Sequence, residues 1–159
     1  MFERLKPDMI INSIREFPLD KLVEMGIKGI VFDIDNTLVR ASDKEPTLEV
    51  LELFDKLKGY GISYSIVSNN SIERVERFSK NLGVYYRHKA LKPRRKYLRQ
   101  AMNYMGTTPE TTALVGDQLF TDIYGGNRME FLTVFTLPLG ESETRFVEFK
   151  RKLERLLLK

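Results

Sequence analysis

Short apolar runs alternate with amphipathic segments of helical length along most of this chain, and that alternation constrains the fold more than any other feature. The run 29–32 reads as a buried strand, followed by a helix predicted over about 47–58, where Leu48, Leu51, Phe54 and Leu57 recur at helical spacing. Gly59 and Gly61 stop that helix before a second strand at 62–67, and Ser71 is placed to cap a helix reaching about Leu82, which Gly83 ends. Further strands are expected at 84–86, 111–115 and 131–135, separated by a helix over 94–105 and a short helix or loop over 119–128. Such a chain folds as α/β, with a mainly parallel sheet covered by helices on both faces in three layers.

The 159 residues, 42% of them hydrophobic, suffice for one core, so a single domain over 1–159 is expected. Within it, 1–27 reads as an irregular lead-in with a short helix around 9–16, 28–139 as the core, and 140–159 as an amphipathic C-terminal helix. In that last segment Phe146, Phe149, Leu153 and Leu156 fall on one face, for which packing on the core is a better reading than membrane docking. The absence of cysteine excludes disulfides, thiolate metal sites and cysteine nucleophiles, and is compatible with a reducing cytoplasm. Any metal must therefore use oxygen ligands. The N-terminal residues are too charged for a secretory signal and no apolar run approaches the ~20 residues that span a bilayer, so a cytoplasmic protein, at most peripheral to a membrane, is expected.

The net charge of +4 is modest, but basic residues cluster between Arg87 and Arg99 and again after Arg145, which favours an anionic substrate. Nucleic acid is the weaker candidate, because no binding module and no interleaving of aromatic and basic residues is present. His88 is the only histidine, so a histidine-centred metal site or triad is excluded, and it reads as a surface or rim residue. Tyr85, Tyr86 and Tyr97 read as packing residues.

The first strand ends in Val31-Phe32-Asp33-Ile34-Asp35-Asn36-Thr37, with two carboxylates one residue apart. Two acids at the edge of a buried strand repel each other and lose hydration unless a cation or a reaction holds them there. Open parallel sheets gather their chemistry at the carboxyl ends of strands. Asp33, Ser68 and Asp117 each stand at or just beyond such an end, so residues distant in sequence converge on one crevice. Each has a plainer reading: Asp33 as a strand terminator, Asp35 as a turn residue, Ser68-Asn69-Asn70 as a turn and cap, Asp117 and Asp122 as a capped helix start, and Lys92 as part of a solvated basic run.

Taken together, Asp33-x-Asp35-x-Thr37, Ser68, the Lys92-Pro93 pair and Gly116-Asp117 resemble, in order, the four motifs of the haloacid dehalogenase (HAD) superfamily of phosphotransferases. That resemblance implies a Rossmann-like fold and a phosphomonoesterase working through an aspartyl-phosphate. Asp33 would be the nucleophile and Asp35 the acid and base, a residue found at that position in the phosphatases of the superfamily. Ser68 and Lys92, with Asn69, would bind the phosphoryl oxygens, although Lys89 competes with Lys92 for the lysine role. Mg²⁺ would be held by Asp33, Asp117 and the backbone carbonyl of Asp35, with Thr37 bracing the loop and Asp122 orienting Lys92.

Neither position at which HAD enzymes carry a cap domain has room for one here. An open crevice suits a substrate that brings its own enclosure, such as a lipid headgroup, a nucleic-acid end or a phosphoprotein. With Leu5-Lys6-Pro7-Asp8, the motifs are similar to the YqeG-type branch of capless HAD phosphatases, through about Leu139, and to the phosphatidylglycerophosphate phosphatases of organelles. The resemblance thus implies a lipid phosphate as one candidate substrate, met at a membrane surface. Two other classes compete with this reading. A receiver-type phosphoacceptor also combines Asp, Mg²⁺, Ser or Thr and Lys, but carries its phosphorylated Asp after the third strand, and the run at 84–86 ends without one. A non-catalytic protein binding anionic membrane or nucleic acid is the third reading.

Overall fold

A computed structural model describes residues 2–139 and 143–157. Six parallel strands form one sheet in the order β1-β6-β5-β2-β3-β4, where β1 is Met9–Ile11, β2 Gly29–Phe32, β3 Ser63–Val67, β4 Tyr86–Arg87, β5 Thr112–Gly116 and β6 Leu132–Thr136. The chain leaves β2 toward β3 and β4 on one side, then crosses to β5 and β6 on the other. The order therefore reverses between β2 and β5, where α/β sheets open a crevice at the strands' carboxyl ends.

Side-chain alternation along the central strands sorts the core into two faces. Ile30 and Phe32 of β2 and Ala113 and Val115 of β5 join Ile66, Val50, Phe54, Leu57, Val75 and Phe78 beneath α2 (Leu48–Gly59) and α3 (Ile72–Ser79). Val31 and Leu114 face the other way, against Leu98 and Ala101 of α4 (Lys96–Met105). Burial on both faces explains why β2 reads as a continuous apolar run, since all four of its residues are buried. Thr47 and Ser71 accept hydrogen bonds from the backbone N–H groups of Val50 and Arg74, so both helices begin where cap chemistry places them.

The lead-in departs from the sequence reading. Met9–Ile11 is not part of a helix but an edge strand paired with Val134–Thr136 of β6, followed by a 3₁₀ turn at Ile14–Glu16 and an unexpected helix, α1 (Leu19–Glu24). Three residues are too few to carry a strand signal by themselves, and pairing with β6 supplies what local pattern cannot. The strand expected at 84–86 lies one register on, at Tyr86–Arg87. The segment 119–128 is a π-helical turn, Leu119–Ile123, running into α5 (Tyr124–Arg128). In the C-terminal helix α6 (Glu143–Leu157), Leu153 is buried with Ile123, Phe135 and Leu137, and Phe149 stacks on Phe135, in agreement with packing on the core. The side chains of Phe146 and Leu156 lie outside the described residues. Between β2 and α2 there is only the loop 33–47, and between β3 and β4 only α3 and its connections, so no cap is inserted at either place.

Candidate active site

β2 delivers Asp33 to the carboxyl edge of the sheet, β3 delivers Ser68 and β5 delivers Asp117. The loop after β2 then turns sharply. Asn36 adopts φ 61°, a left-handed conformation that Asn tolerates better than most residues, and its N–H donates to the Val39 carbonyl at 2.7 Å. The turn brings Asp35 alongside Asp33 in one open cleft of about 330 Å³, lined also by Asn36, Ser68, Asn69, Asn70, Lys92, Gln118 and Thr121.

At the floor of the cleft Lys92, almost fully buried, donates to Oδ1 of Asp122 at 2.6 Å, and its Nζ lies 3.4 Å from Oδ1 of Asp33. Of the two lysines, Lys92 and not Lys89 reaches the cleft; Lys89 is exposed, three residues earlier in the same loop. Asn69 fixes the Lys92 backbone from both sides, accepting from its N–H at 2.8 Å and donating to its carbonyl at 3.2 Å. Asn69 also lines the cleft, and its Nδ2 keeps a second N–H beyond the one given to Lys92, so the bracing leaves the expected contact with substrate phosphate open. Ser68, 2% exposed, accepts from the Asn70 N–H through Oγ, which leaves its own hydroxyl proton free to donate.

Carboxylate oxygens of Asp33, Asp117 and Asp122 can all lie within 4.8 Å of one another. Thr37 donates to Oδ1 of Asp117 at 3.1 Å, so it braces the acid as well as the loop. Asp122 lies flat against Gly116, where any Cβ would overlap its carboxylate, and accepts from the Gln118 N–H. Burial pushes the Asp33 carboxyl up to about 7, with Lys92 pulling it down and Asp122 and Asp117 pushing it further up. The same burial raises Asp117 to about 7, aided by Asp122 and opposed by the Thr37 hydroxyl. Burial disfavours the charge on Lys92, but Asp122 and Asp33 outweigh it and hold its pKa above the usual lysine value. A cluster of buried carboxylates whose charge is this costly, offering only oxygen donors, fits a hard divalent cation.

A sequence profile described as mitochondrial PGP phosphatase matches residues 2–139. The chain belongs to this family. It is thereby a phosphatase. Among its relatives, the probable phosphatase YqeG of Bacillus subtilis is 38% identical over 152 residues, covering 96% of this chain and 88% of that protein. The chloroplastic/mitochondrial phosphatidylglycerophosphate phosphatase 1 of Arabidopsis thaliana is 30% identical over 96% of this chain, which spans only 47% of the plant protein. The chloroplastic counterpart in Chlamydomonas reinhardtii is 31% identical, and the chain spans 59% of it. Solved structures share the fold. The cobalt-bound deoxy-D-mannose-octulosonate 8-phosphate phosphatase of Haemophilus influenzae matches with TM-score 0.54 and 19% identity, over 86% of this chain and 91% of that one. The 4-nitrophenylphosphatase of Thermotoga maritima matches with TM-score 0.56 and 14% identity, over 80% and 92%.

Two residues of this PGP phosphatase family member escaped the sequence reading. Arg74 Nη2 lies 2.9 Å from Oδ1 of Asp35 and its Nε donates to the same oxygen at 3.0 Å, while Asn70 donates to Oδ2 at 2.7 Å. Asn70 stood in the quoted Ser-Asn-Asn stretch without an assigned task, and its neighbourhood was the available signal. Arg74 carried none, for it is one basic residue on an amphipathic helix until α3 packs against the loop after β2.

Proposed function

We propose that this chain is a Mg²⁺-dependent phosphomonoester hydrolase, a single HAD-like domain over 1–159, with Asp33 as nucleophile and phosphatidylglycerophosphate as its substrate. The observation that carries the reading is Lys92 Nζ between Asp33 and Asp122 at the floor of a cleft that also holds Asp35 and Ser68. Asp33, Asp117 and the carbonyl of Asp35 would hold Mg²⁺, which would supply positive charge to keep Asp33 ionised and to neutralise phosphoryl oxygens.

In the first step an Oδ of Asp33 attacks phosphorus, the P–O bond to the leaving group breaks, and protonated Asp35 gives its proton to the departing oxygen. In the second, Asp35 takes a proton from water, the water oxygen attacks phosphorus, and the bond to Asp33 breaks to release inorganic phosphate and free aspartate. Ser68 donates to one phosphoryl oxygen and Lys92 neutralises another, both fixed before substrate arrives. Asn69 holds the Lys92 backbone and keeps one N–H to donate to a phosphoryl oxygen. Asp122 acts on the chemistry through the Lys92 ammonium.

The names of the plant and algal relatives support a lipid phosphate as substrate. No described helix is long and apolar enough to cross a membrane; a cytoplasmic protein that meets this substrate at the membrane surface is part of the proposal. The test is Mg²⁺-dependent phosphate release from phosphatidylglycerophosphate, nucleotides, sugar phosphates and 4-nitrophenyl phosphate. Preference for the lipid, with a loss of about a thousandfold or more in Asp33→Asn, is the expected result. A variant that keeps full turnover would overturn the nucleophile, and a phospho-form lasting hours without turnover would favour a receiver-type module.

A further inference from the structure

Every residue lining the cleft is polar: Asp33, Asp35, Asn36, Ser68, Asn69, Asn70, Lys92, Gln118 and Thr121. If the substrate is a lipid phosphate, as proposed above, the cleft offers its acyl chains no apolar wall to leave the bilayer for. Apolar groups stand instead at the rim. Leu91, 57% exposed, immediately precedes Lys92, and Phe120, 69% exposed, lies between the lining residues Gln118 and Thr121. Both are large, exposed side chains next in sequence to residues that line a charged cleft. Leu91 moreover sits on a left-handed backbone, φ 56°, which is costly for an L residue other than Asn or Asp, and still leaves most of its surface exposed.

The stretch of chain around Leu91 has one sign of charge. Residues 81–109 contain no Asp or Glu, while Lys89, Arg94, Arg95, Lys96 and Arg99 in that stretch are all exposed. Exposed apolar side chains accompanied by a run of basic ones match the interface of an anionic bilayer, where apolar side chains enter the headgroup boundary and cations meet lipid phosphates. The geometry points to the loop 87–96 and Phe120 as a docking face for an anionic phospholipid membrane, with Leu91 and Phe120 inserted. The cleft then opens directly onto the headgroups, and the lipid is processed without being drawn out of the bilayer. The absence of an inserted cap belongs to the same design, since a cap would stand between the cleft and the membrane.

The experiment measures co-sedimentation of the full chain with vesicles of phosphatidylglycerol and phosphatidylcholine in equal parts, against vesicles of phosphatidylcholine alone. Turnover of soluble 4-nitrophenyl phosphate is measured in parallel. The parent protein should bind the anionic vesicles and release them as salt rises. Leu91→Asn with Phe120→Ser should weaken vesicle binding by on the order of tenfold or more. Asn is chosen because it accepts the left-handed backbone. Arg94→Gln with Arg95→Gln should weaken binding by a similar factor. Tyr104→Ser, which removes an aromatic ring 68% exposed at the far end of α4, should leave it unchanged.

Equal binding to neutral vesicles, or undiminished binding by the Leu91/Phe120 variant, would overturn the docking face. So would a concentration-dependent dimer abolished by those same substitutions, which would make a second copy the partner. Retained aryl phosphate turnover with vesicle binding insensitive to the substitutions would sink the docking face alone. Substitution-sensitive vesicle binding by a parent that hydrolyses no phosphate ester would sink the catalytic reading and leave the membrane face standing.

Discussion

Arg74 holds Oδ1 of Asp35 through two of its nitrogens, Nη2 at 2.9 Å and Nε at 3.0 Å, across 39 residues of sequence. The contact fixes the rotamer of the proposed acid and base, and Asn70 pins the second carboxylate oxygen at 2.7 Å. Arg74 touches no reacting atom and acts as a positioning residue. Replacing it with Ala should lower kcat by about ten- to a hundredfold with a smaller change in KM, at or below the lower end of the roughly 10²–10⁴-fold that general acid–base catalysis supplies, as expected for a residue that only positions the acid. The loss should be larger for an alkyl phosphate, whose leaving oxygen needs a proton, than for 4-nitrophenyl phosphate. Equal losses on both esters in steady-state kinetics would mean that Arg74 supports the fold and not the proton transfer.

The Lys92–Asp122 pair is almost wholly buried, with side chains 2% and 0% exposed. Removing Asp122 leaves the buried Lys92 ammonium with only Asp33, 3.4 Å away, to offset its charge, at a cost of up to about 3–5 kcal/mol. Asp122→Ala should therefore lower urea stability by that order in metal-free protein. Asp122→Asn, which keeps a carbonyl oxygen for Lys92, should recover part of the loss.

Stability should depend on pH in an unusual direction when metal is absent. Asp33 and Asp117 are each raised from 3.8 to about 7, so between those values the folded protein binds more protons than the unfolded chain. Unfolding free energy then falls as pH rises through this window, and stability contributed at low pH is lost by about pH 7. Melting in a chelator should show Tm decreasing from about pH 5 to pH 8, and added Mg²⁺ should restore Tm most strongly at the upper end. A chelated protein whose Tm climbs across the same range would contradict the electrostatics described here.

Thr37 contributes a hydroxyl that lowers the pKa of Asp117 and fixes its orientation. Thr37→Val keeps the buried shape and deletes that hydrogen bond. The Mg²⁺ concentration needed for half-maximal turnover should rise by about ten- to a hundredfold, the usual cost of losing a group that orients a ligand. Turnover at saturating Mg²⁺ should change less, which titration of activity against Mg²⁺ would read directly.

Gly116 is required by close approach and not by backbone strain, because a Cβ there overlaps the Asp122 carboxylate. Gly116→Ala should displace Asp122, release Lys92 and reduce turnover by about a hundredfold or more, since a small misplacement at the reacting centre is enough to do so. An intact Lys92–Asp122 contact in a crystal structure of the variant would refute that route.

By itself the sequence determined the parallel α/β architecture and the central strands, because burial on both faces of β2 demands an unbroken apolar run and helices must supply matching apolar stripes. It also marked Asp33, Ser68 and Asp117, since residues just past a strand end are drawn to the same edge of a parallel sheet wherever the helices fall. Tertiary structure decided what spacing leaves undetermined. Met9–Ile11 became a strand only through its pairing with β6. Lys92 prevailed over Lys89 because Asn69 clamps its backbone and Asp122 meets its ammonium. Arg74 and Asp35, 39 residues apart, found each other only when α3 packed beside the loop after β2. Local pattern encodes which face of an element is buried; which charges then meet depends on how separate elements dock, and no periodicity along a single chain carries that information.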